Sequence, residues 1–295
     1  MKIGRGEKIF KSVNNFIMFL FGLSIFYPFL NILAISLSSG QEARRGGITV
    51  WPRGFSLAAY SAVFAKGGLL HPAFNSMTRT LLGTVTGLAF TALLAYILSY
   101  KELIFRRGIL FLFVFTMYFS GGIIPDYLLM RQLGLINHFS VYIIPCLLGV
   151  WNMMVMRQFF EELQPSLKES AQIDGANEFS ILWRIVLPLS TPVLATVALF
   201  IAISQWDAWY DTYIYTTAPA LSTLQNELVK ILVETEANLM GNTTDMNTAA
   251  ARAQMATPET IKMATIIITT LPIVAIYPFL QKYFVKGIMI GAVKE

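Results

Sequence analysis

The sequence predicts an all-α integral membrane protein with six transmembrane helices, and three observations carry that reading. Of the 295 residues, 55% are hydrophobic and 13% are charged, with mean hydropathy +0.60, which is too apolar for a surface that must face water. Six apolar stretches, near 14–37, 78–100, 108–130, 139–160, 189–214 and 263–285, each reach the length of about 20 helical residues that a hydrocarbon core of about 30 Å demands. In lipid each backbone amide must find its partner within its own segment, so helices are the open-ended solution. The whole of 1–295 reads as a single transmembrane domain.

Taken in order, the chain opens with the cations Lys2, Arg5, Lys8 and Lys11 before the first apolar stretch, and no small-residue cleavage site follows at the spacing of a secretory signal. It reads as a retained first span. The Gly-, Ser- and Pro-rich segment 38–77 forms the first loop, with Arg44 and Arg45 on its solvated surface. Span two carries Arg79 near its outer end, where the side chain is expected to snorkel to the interface. After span three, Gly121, Gly122, Pro125, Gly134 and Asn137 are too many breakers for one straight helix.

The segment 216–261 is polar. Its part 224–239 has helical spacing at Leu228, Ile231, Leu232 and Leu239, as expected of a lid-like helix, and Asp245 and Arg252 follow. Asn242-Thr243-Thr244 matches a glycosylation pattern. An even number of spans puts both termini on one side. Lys and Arg number 13 there and 9 opposite, where most lie in two long loops that weigh little, so the termini are expected in the cytoplasm.

The composition also excludes several classes of function. The net charge of +5 belongs to cationic flanks of membrane spans before it suggests nucleic acid. Cys146 is the single cysteine, and His71 and His138 lack ligand neighbours at metal-binding spacing, so neither a disulfide nor a metal site is expected. No GxxxxGK[ST] loop, HExxH helix or nucleophile elbow occurs. The chain is thus expected to hold no catalytic residue, no cofactor and no ATP of its own.

The longest strongly polar interruption in the C-terminal half that still reads as folded runs from Glu161 to Pro192. Pro165 suits a first helical turn that continues through Ile173, and Asp174-Gly175 ends it. Asn177 can cap a second helix with apolar positions Phe179, Leu182, Trp183 and Val186, until Pro188 is expected to redirect the chain. Leu167, Ser170 and Ala171 share one face of the first helix, small enough at two positions for a partner to approach closely. On local evidence alone, an ordinary loop with two surface helices is an equal alternative.

These residues carry a resemblance. Glu169, Ser170 and Ala171, then Asp174, Gly175 and Ala176, then Ile185, Leu187 and Pro188, resemble the EAA motif of binding-protein-dependent importer permeases, the maltose-type membrane subunits of ABC importers; Ser170 stands where a second alanine is usual. The breaker-rich stretch FSGGIIPDYLLMRQLGLINH and MRQFFEEL resemble the oligosaccharide subgroup, which includes importers of alginate fragments. The closing PFLQKYFVKGIMIGAVKE resembles the tail of the permease that lacks a large external domain, a tail that reaches between the ATPase subunits.

The resemblance implies a type I ABC importer permease fold in the bacterial cytoplasmic (inner) membrane and a cytoplasmic coupling loop at 161–188 whose first helix docks on an ATPase. It implies as partners a second homologous permease, a dimeric ATP-binding subunit that carries the ATP and Mg, a periplasmic or extracellular solute-binding protein, and a carbohydrate. The residues placed at the ATPase contact are Glu169, Ser170, Ala171, Asp174, Gly175, Ala176 and Pro188.

For the substrate pathway the candidates are Trp206, Asp207, Trp209, Tyr210 and Asp211, with Tyr213, where flat rings can stack on sugars and carboxylates can accept hydroxyl hydrogen bonds. Asp207 and Asp211, the acid pair in or near a span, are expected one helical turn apart on a common face. An interfacial aromatic belt is the plain alternative. A self-contained ion-gradient carrier using Asp207 or Asp211 is the alternative function, and a membrane-bound glycan enzyme lacks a recognisable catalytic set.

Overall fold

Caps, glycines and prolines decide where the helices of the computed structural model begin and break. The structure describes residues 5–65, 69–240 and 256–292. Lys2, the Asn242-Thr243-Thr244 pattern, Asp245, Arg252 and the last three residues lie outside them. The helices are α1 (Arg5–Ser36), α2 (Gly40–Arg45), α3 (Ala58–Ala65), α4 (Leu70–Ser99), α5 (Arg106–Tyr118), α6 (Ile123–Gln132) and α7 (Val150–Glu162). They continue as α8 (Pro165–Ile173), α9 (Glu178–Ile181), α10 (Leu187–Leu189), α11 (Thr191–Asp207), α12 (Tyr210–Tyr215), α13 (Leu224–Met240) and α14 (Pro258–Ala292). The only strand-like pairing among the described residues is an isolated bridge between Ser38 and Phe55.

Three helical segments, Gly6–Ser36, Leu70–Ser99 and Pro258–Ala275, are long and apolar enough to cross a membrane unbroken. Three bent pairs could each make a further crossing: Arg106–Tyr118 with Ile123–Gln132 at 116°, Phe139–Cys146 with Val150–Glu162 at 46°, and Glu178–Leu189 with Thr191–Asp207 at 86°. The apolar stretches 108–130 and 139–160 are therefore not single helices. The first breaks at Gly122, whose φ of +90° a side chain would resist, and the second enters through two 3₁₀ turns around Pro145 before Gly149 starts α7.

The stretch 189–214 breaks as well. α11 ends at Asp207, Ala208 is extended, and α12 starts afresh at Tyr210. Asp207 and Asp211 thus stand on two different helices, which corrects the common face that a continuous helix would have given them.

By its internal contacts the chain divides into two units, Met1–Gly68 with Leu228–Pro272, and Leu69–Glu227 with Ile273–Glu295. In the first, Ala34, Ala43 and Ile48 form a small core. Asn31 Nδ2 fastens the loop after α2 by donating to the carbonyls of Ile48 and Thr49 at 2.7 and 2.9 Å.

In the second unit, α4 packs between α7 and α11. Its core joins Ala92, Ala95, Tyr96 and Leu98 of α4 to Met153, Met156 and Phe160 of α7, Ala171 of α8 and Val193, Val197 and Ile201 of α11. Small residues on α4 let the backbones approach, the usual route to helix association where lipid is as apolar as leucine. At Gly83 there is no room for a side chain: a Cβ there would lie 2.6 Å from Gln205 Nε2.

Candidate functional site

The stretch 161–190 takes its shape from local chemistry. Pro165 occupies the first turn of α8, where an amide hydrogen would have no helical partner. Asp174 closes the helix, and Gly175 turns the chain at φ +79°. Asn177 then caps α9, its Oδ1 accepting the Ser180 amide at 2.8 Å.

Beyond α9 a π turn, Leu182–Val186, leads into α10. Its wider winding makes room for Pro188, which lacks an amide hydrogen and crowds the carbonyl four residues back. Pro188 therefore stays within the helical path, contrary to the expected redirection, and the 86° change comes at Ser190. The expected shared face of Leu167, Ser170 and Ala171 is divided too: Ala171 is buried, while Leu167 and Ser170 are exposed with Glu169, Asp174 and Gly175. Ile173 is 86% exposed, and Phe179 and Trp183 extend the same open surface chemistry.

One carboxylate ties this turn to the end of α4. Glu178 Oε2 accepts the hydroxyls of Tyr96 at 2.7 Å and Tyr100 at 2.5 Å, and Oε1 accepts Gln172 Nε2 at 2.9 Å. The two rings meet edge to face with centroids 5.2 Å apart. Lys168 Nζ sits 5.3 and 4.9 Å from their centroids. The Tyr100 hydroxyl, more than any other group, holds the Glu178 carboxyl below its ordinary value of 4.5, and burial lowers the Lys168 ammonium from its ordinary 10.5. Nearby, Arg106 Nε donates to Leu98 O at 2.8 Å, and Arg106 and Arg157 both pair with Glu161. The adjoining ends of α4, α5 and α7 are thereby stapled.

A second polar cluster surrounds Arg79, which is 1% exposed and does not snorkel. Its Nε and Nη2 donate to Gln205 Oε1 at 3.1 and 2.9 Å, and Nη1 donates to Ala208 O at 3.3 Å. Nη1 and Nη2 also meet the two Asp211 oxygens at 3.0 and 2.6 Å. The guanidinium lies 4.5 Å from the Tyr142 ring centroid. Every donor of this arginine has an acceptor, and the set pins the break between α11 and α12.

Residues 88–290 match the family described as binding-protein-dependent transport system inner membrane component. The chain belongs to this family. It is 35% identical over 277 residues to the polygalacturonan/rhamnogalacturonan transport system permease protein YtcP of Bacillus subtilis (strain 168), covering 94% of this chain and 95% of that protein. It is 38% identical over 280 residues to Protein LplC of the same strain, covering 94% and 93%. A chain in the crystal structure of a bacterial ABC transporter involved in the import of the acidic polysaccharide alginate matches with TM-score 0.80 and 33% identity, over 95% of this chain and 98% of that one. The protein is thus a multi-pass membrane permease with the type I ABC importer fold.

In this permease the motif residues Glu169, Ser170, Ala171, Asp174, Gly175 and Ala176 lie together on one helix and turn, with Pro188 further along the path. The aromatic and acidic candidates separate. Trp206 is buried at 8% exposure, and Asp211 is engaged by Arg79. Asp207 and Trp209, Tyr210 and Tyr213 remain on an open surface, Trp209 lying 5.8 and 6.3 Å from the rings of Tyr210 and Tyr213.

Sequence reasoning missed Glu178, Tyr96, Tyr100 and Gln205. The available signals were a tyrosine pair four residues apart at the end of a span, and a glutamine inside an apolar run.

Proposed function

We propose that the permease is one of two homologous membrane subunits of an ATP-driven importer of oligosaccharides, with a dimeric ATP-binding subunit docked on the α8–α9 turn and a solute-binding protein on the opposite side. ATP and Mg are held by the partner ATPase subunits, and both termini lie in the cytoplasm. The carrying observation is the turn itself: a short helix fastened to α4 by Glu178 that leaves Leu167, Glu169, Ser170, Ile173 and Asp174 open for a partner. Alternating access follows if ATP-driven closure of the ATPase pair displaces this helix and the spans respond.

The relatives named for polygalacturonan, rhamnogalacturonan and alginate favour fragments of acidic polysaccharides as the cargo. On this subunit Trp209, Tyr210 and Tyr213 offer ring faces and Asp207 accepts sugar hydroxyls. Arg79 has no free donor for a uronate charge. The ion-gradient alternative loses support for the same reason, because Asp211 is committed to Arg79 and no acid pair remains.

Purification from the native membrane tests the proposal: an ATP-binding subunit and a second permease are expected to accompany the chain, and recovery of the chain alone with ATP-independent transport overturns it. In a Cys146→Ser background, cysteines at Ser166 and Ala220 are expected to react with an impermeant reagent from opposite sides of the membrane. Reaction of both from outside removes the cytoplasmic assignment of the turn.

A further inference from the structure

The contacts of the α8–α9 turn are unequal on its two sides. Toward α4, Glu178 accepts three donors, Tyr96 on α4, Tyr100 just past its end and Gln172 on α8, so its carboxylate is a rivet through both helices. Lys168, one turn earlier on α8, adds a second attachment over the same two rings. Arg106 and Glu161 extend the fixed region to α5 and α7. Toward α11 the path differs. It runs through a π turn and bends by 86° at Ser190, a residue flanked by Pro188 and Pro192 whose buried hydroxyl has no hydrogen-bond partner. Prolines and π turns are where helices bend, while the Ser190 backbone stays tied on both sides, its amide donating to Val186 O and Leu187 O at 3.0 and 3.1 Å and its carbonyl accepting the Leu194 amide at 3.0 Å.

We propose that Glu178 is the positioning residue of force transmission: through Tyr96 and Tyr100 it makes the turn and the adjoining end of α4 one rigid body. This rests on the proposed docking of an ATPase at the turn. A displacement of α8 is delivered through this carboxylate to the end of α4, and α11 is carried with α4 because Arg79 holds Gln205. The tyrosines suit the task because each has few rotatable bonds and their edge-to-face contact limits ring rotation.

The experiment uses the whole complex in proteoliposomes and reads transport per ATP hydrolysed. Tyr96→Phe/Tyr100→Phe keeps both rings and removes both hydroxyl donors. The expected result is a complex that retains its ATPase subunit and hydrolyses ATP, with transport per ATP lowered by about fivefold or more, in the range set by losing hydrogen bonds to a charged group. Tyr100→Phe alone, which leaves one donor, falls less. An unchanged ratio in the double variant overturns the proposal, as does loss of the ATPase subunit from the complex, which makes the contact a scaffold for docking. If the double variant fails to insert, Tyr100→Phe decides, and a wild-type ratio in that single variant overturns the proposal. Failure of the wild-type chain to bind any ATPase subunit is a separate outcome that removes the docking itself.

Discussion

Arg79 and Asp211 face each other through two hydrogen bonds, Nη1 to Oδ1 at 3.0 Å and Nη2 to Oδ2 at 2.6 Å, across the break between α11 and α12. The arginine is buried and the carboxylate nearly so, with side chains 1% and 18% exposed. Removing one member leaves the other's charge without compensation. Asp211→Ala is expected to destabilise the purified permease by about 3–5 kcal/mol, and Arg79→Met/Asp211→Ala by less, because the second change removes the stranded charge. Thermal stability in detergent checks the order. If the double variant is the less stable one, the pair is not the source of the effect.

Gly83 and Gly87 lie one turn apart on α4 and are expected to respond differently to a methyl group. A Cβ at Gly83 meets Gln205 Nε2 at 2.6 Å and Cδ at 2.7 Å, so Gly83→Ala must push away the side chain that receives Arg79. A loss of about 1–3 kcal/mol is expected. At Gly87 the nearest atom is Ile201 Cγ2 at 3.5 Å, an ordinary contact. Gly87→Ala is expected to be neutral or to gain up to about 1 kcal/mol from helix propensity. Equal melting shifts for the two variants contradict this.

Gly175 has open space around a Cβ but a φ of +79°, so any loss on substitution is conformational and not steric. Gly175→Val is expected to strain the turn by about 1–2 kcal/mol, while Gly175→Asn, whose side chain tolerates the left-handed region, stays near wild type. Retention of the ATPase subunit during purification is the readout, with insertion into the membrane unchanged in both. Wild-type retention by the valine variant separates the turn from docking.

Glu178 carries a pH dependence whose sign follows from its partners. Its folded pKa lies below the ordinary 4.5 because the carboxylate form is the one that accepts the tyrosine hydroxyls. Stability from this group is fully present above the unfolded value and is lost as pH falls through the lower folded value. Transport per ATP is therefore expected to be flat from about pH 8 down to about pH 5, with no contribution from Glu178 to any change in that window. A step near neutral pH that Glu178→Gln abolishes contradicts the assignment.

The α8–α9 turn was readable because its signals are local: Pro165 at a first turn, Gly175 at a reversal, Asn177 at a cap. The Arg79 cluster was not, since its partners Gln205 and Asp211 stand 126 and 132 residues away, and an arginine near a span end looks like one that reaches for water. The acid pair misled for a related reason. Spacing of four implies a shared face only along an unbroken helix, and here the helix ends at Asp207, one residue before the carbonyl of Ala208 that Arg79 binds. Breaks held by distant side chains leave little trace in periodicity, whereas the breaks at Gly122 and Pro145 announce themselves.

The elbow between α5 and α6 bears on what must lie against it in the membrane. α5 has 13 residues, about 20 Å at 1.5 Å each, so a crossing that starts at Arg106 has covered about two thirds of a 30 Å core where the helix ends at Tyr118, with three more residues before the break at Gly122. No side chain caps the start of α6, so the first-turn amides of Ile123 and Ile124 have no capping partner. Hydrocarbon does not accept open amides, so the elbow needs another protein surface or water against it.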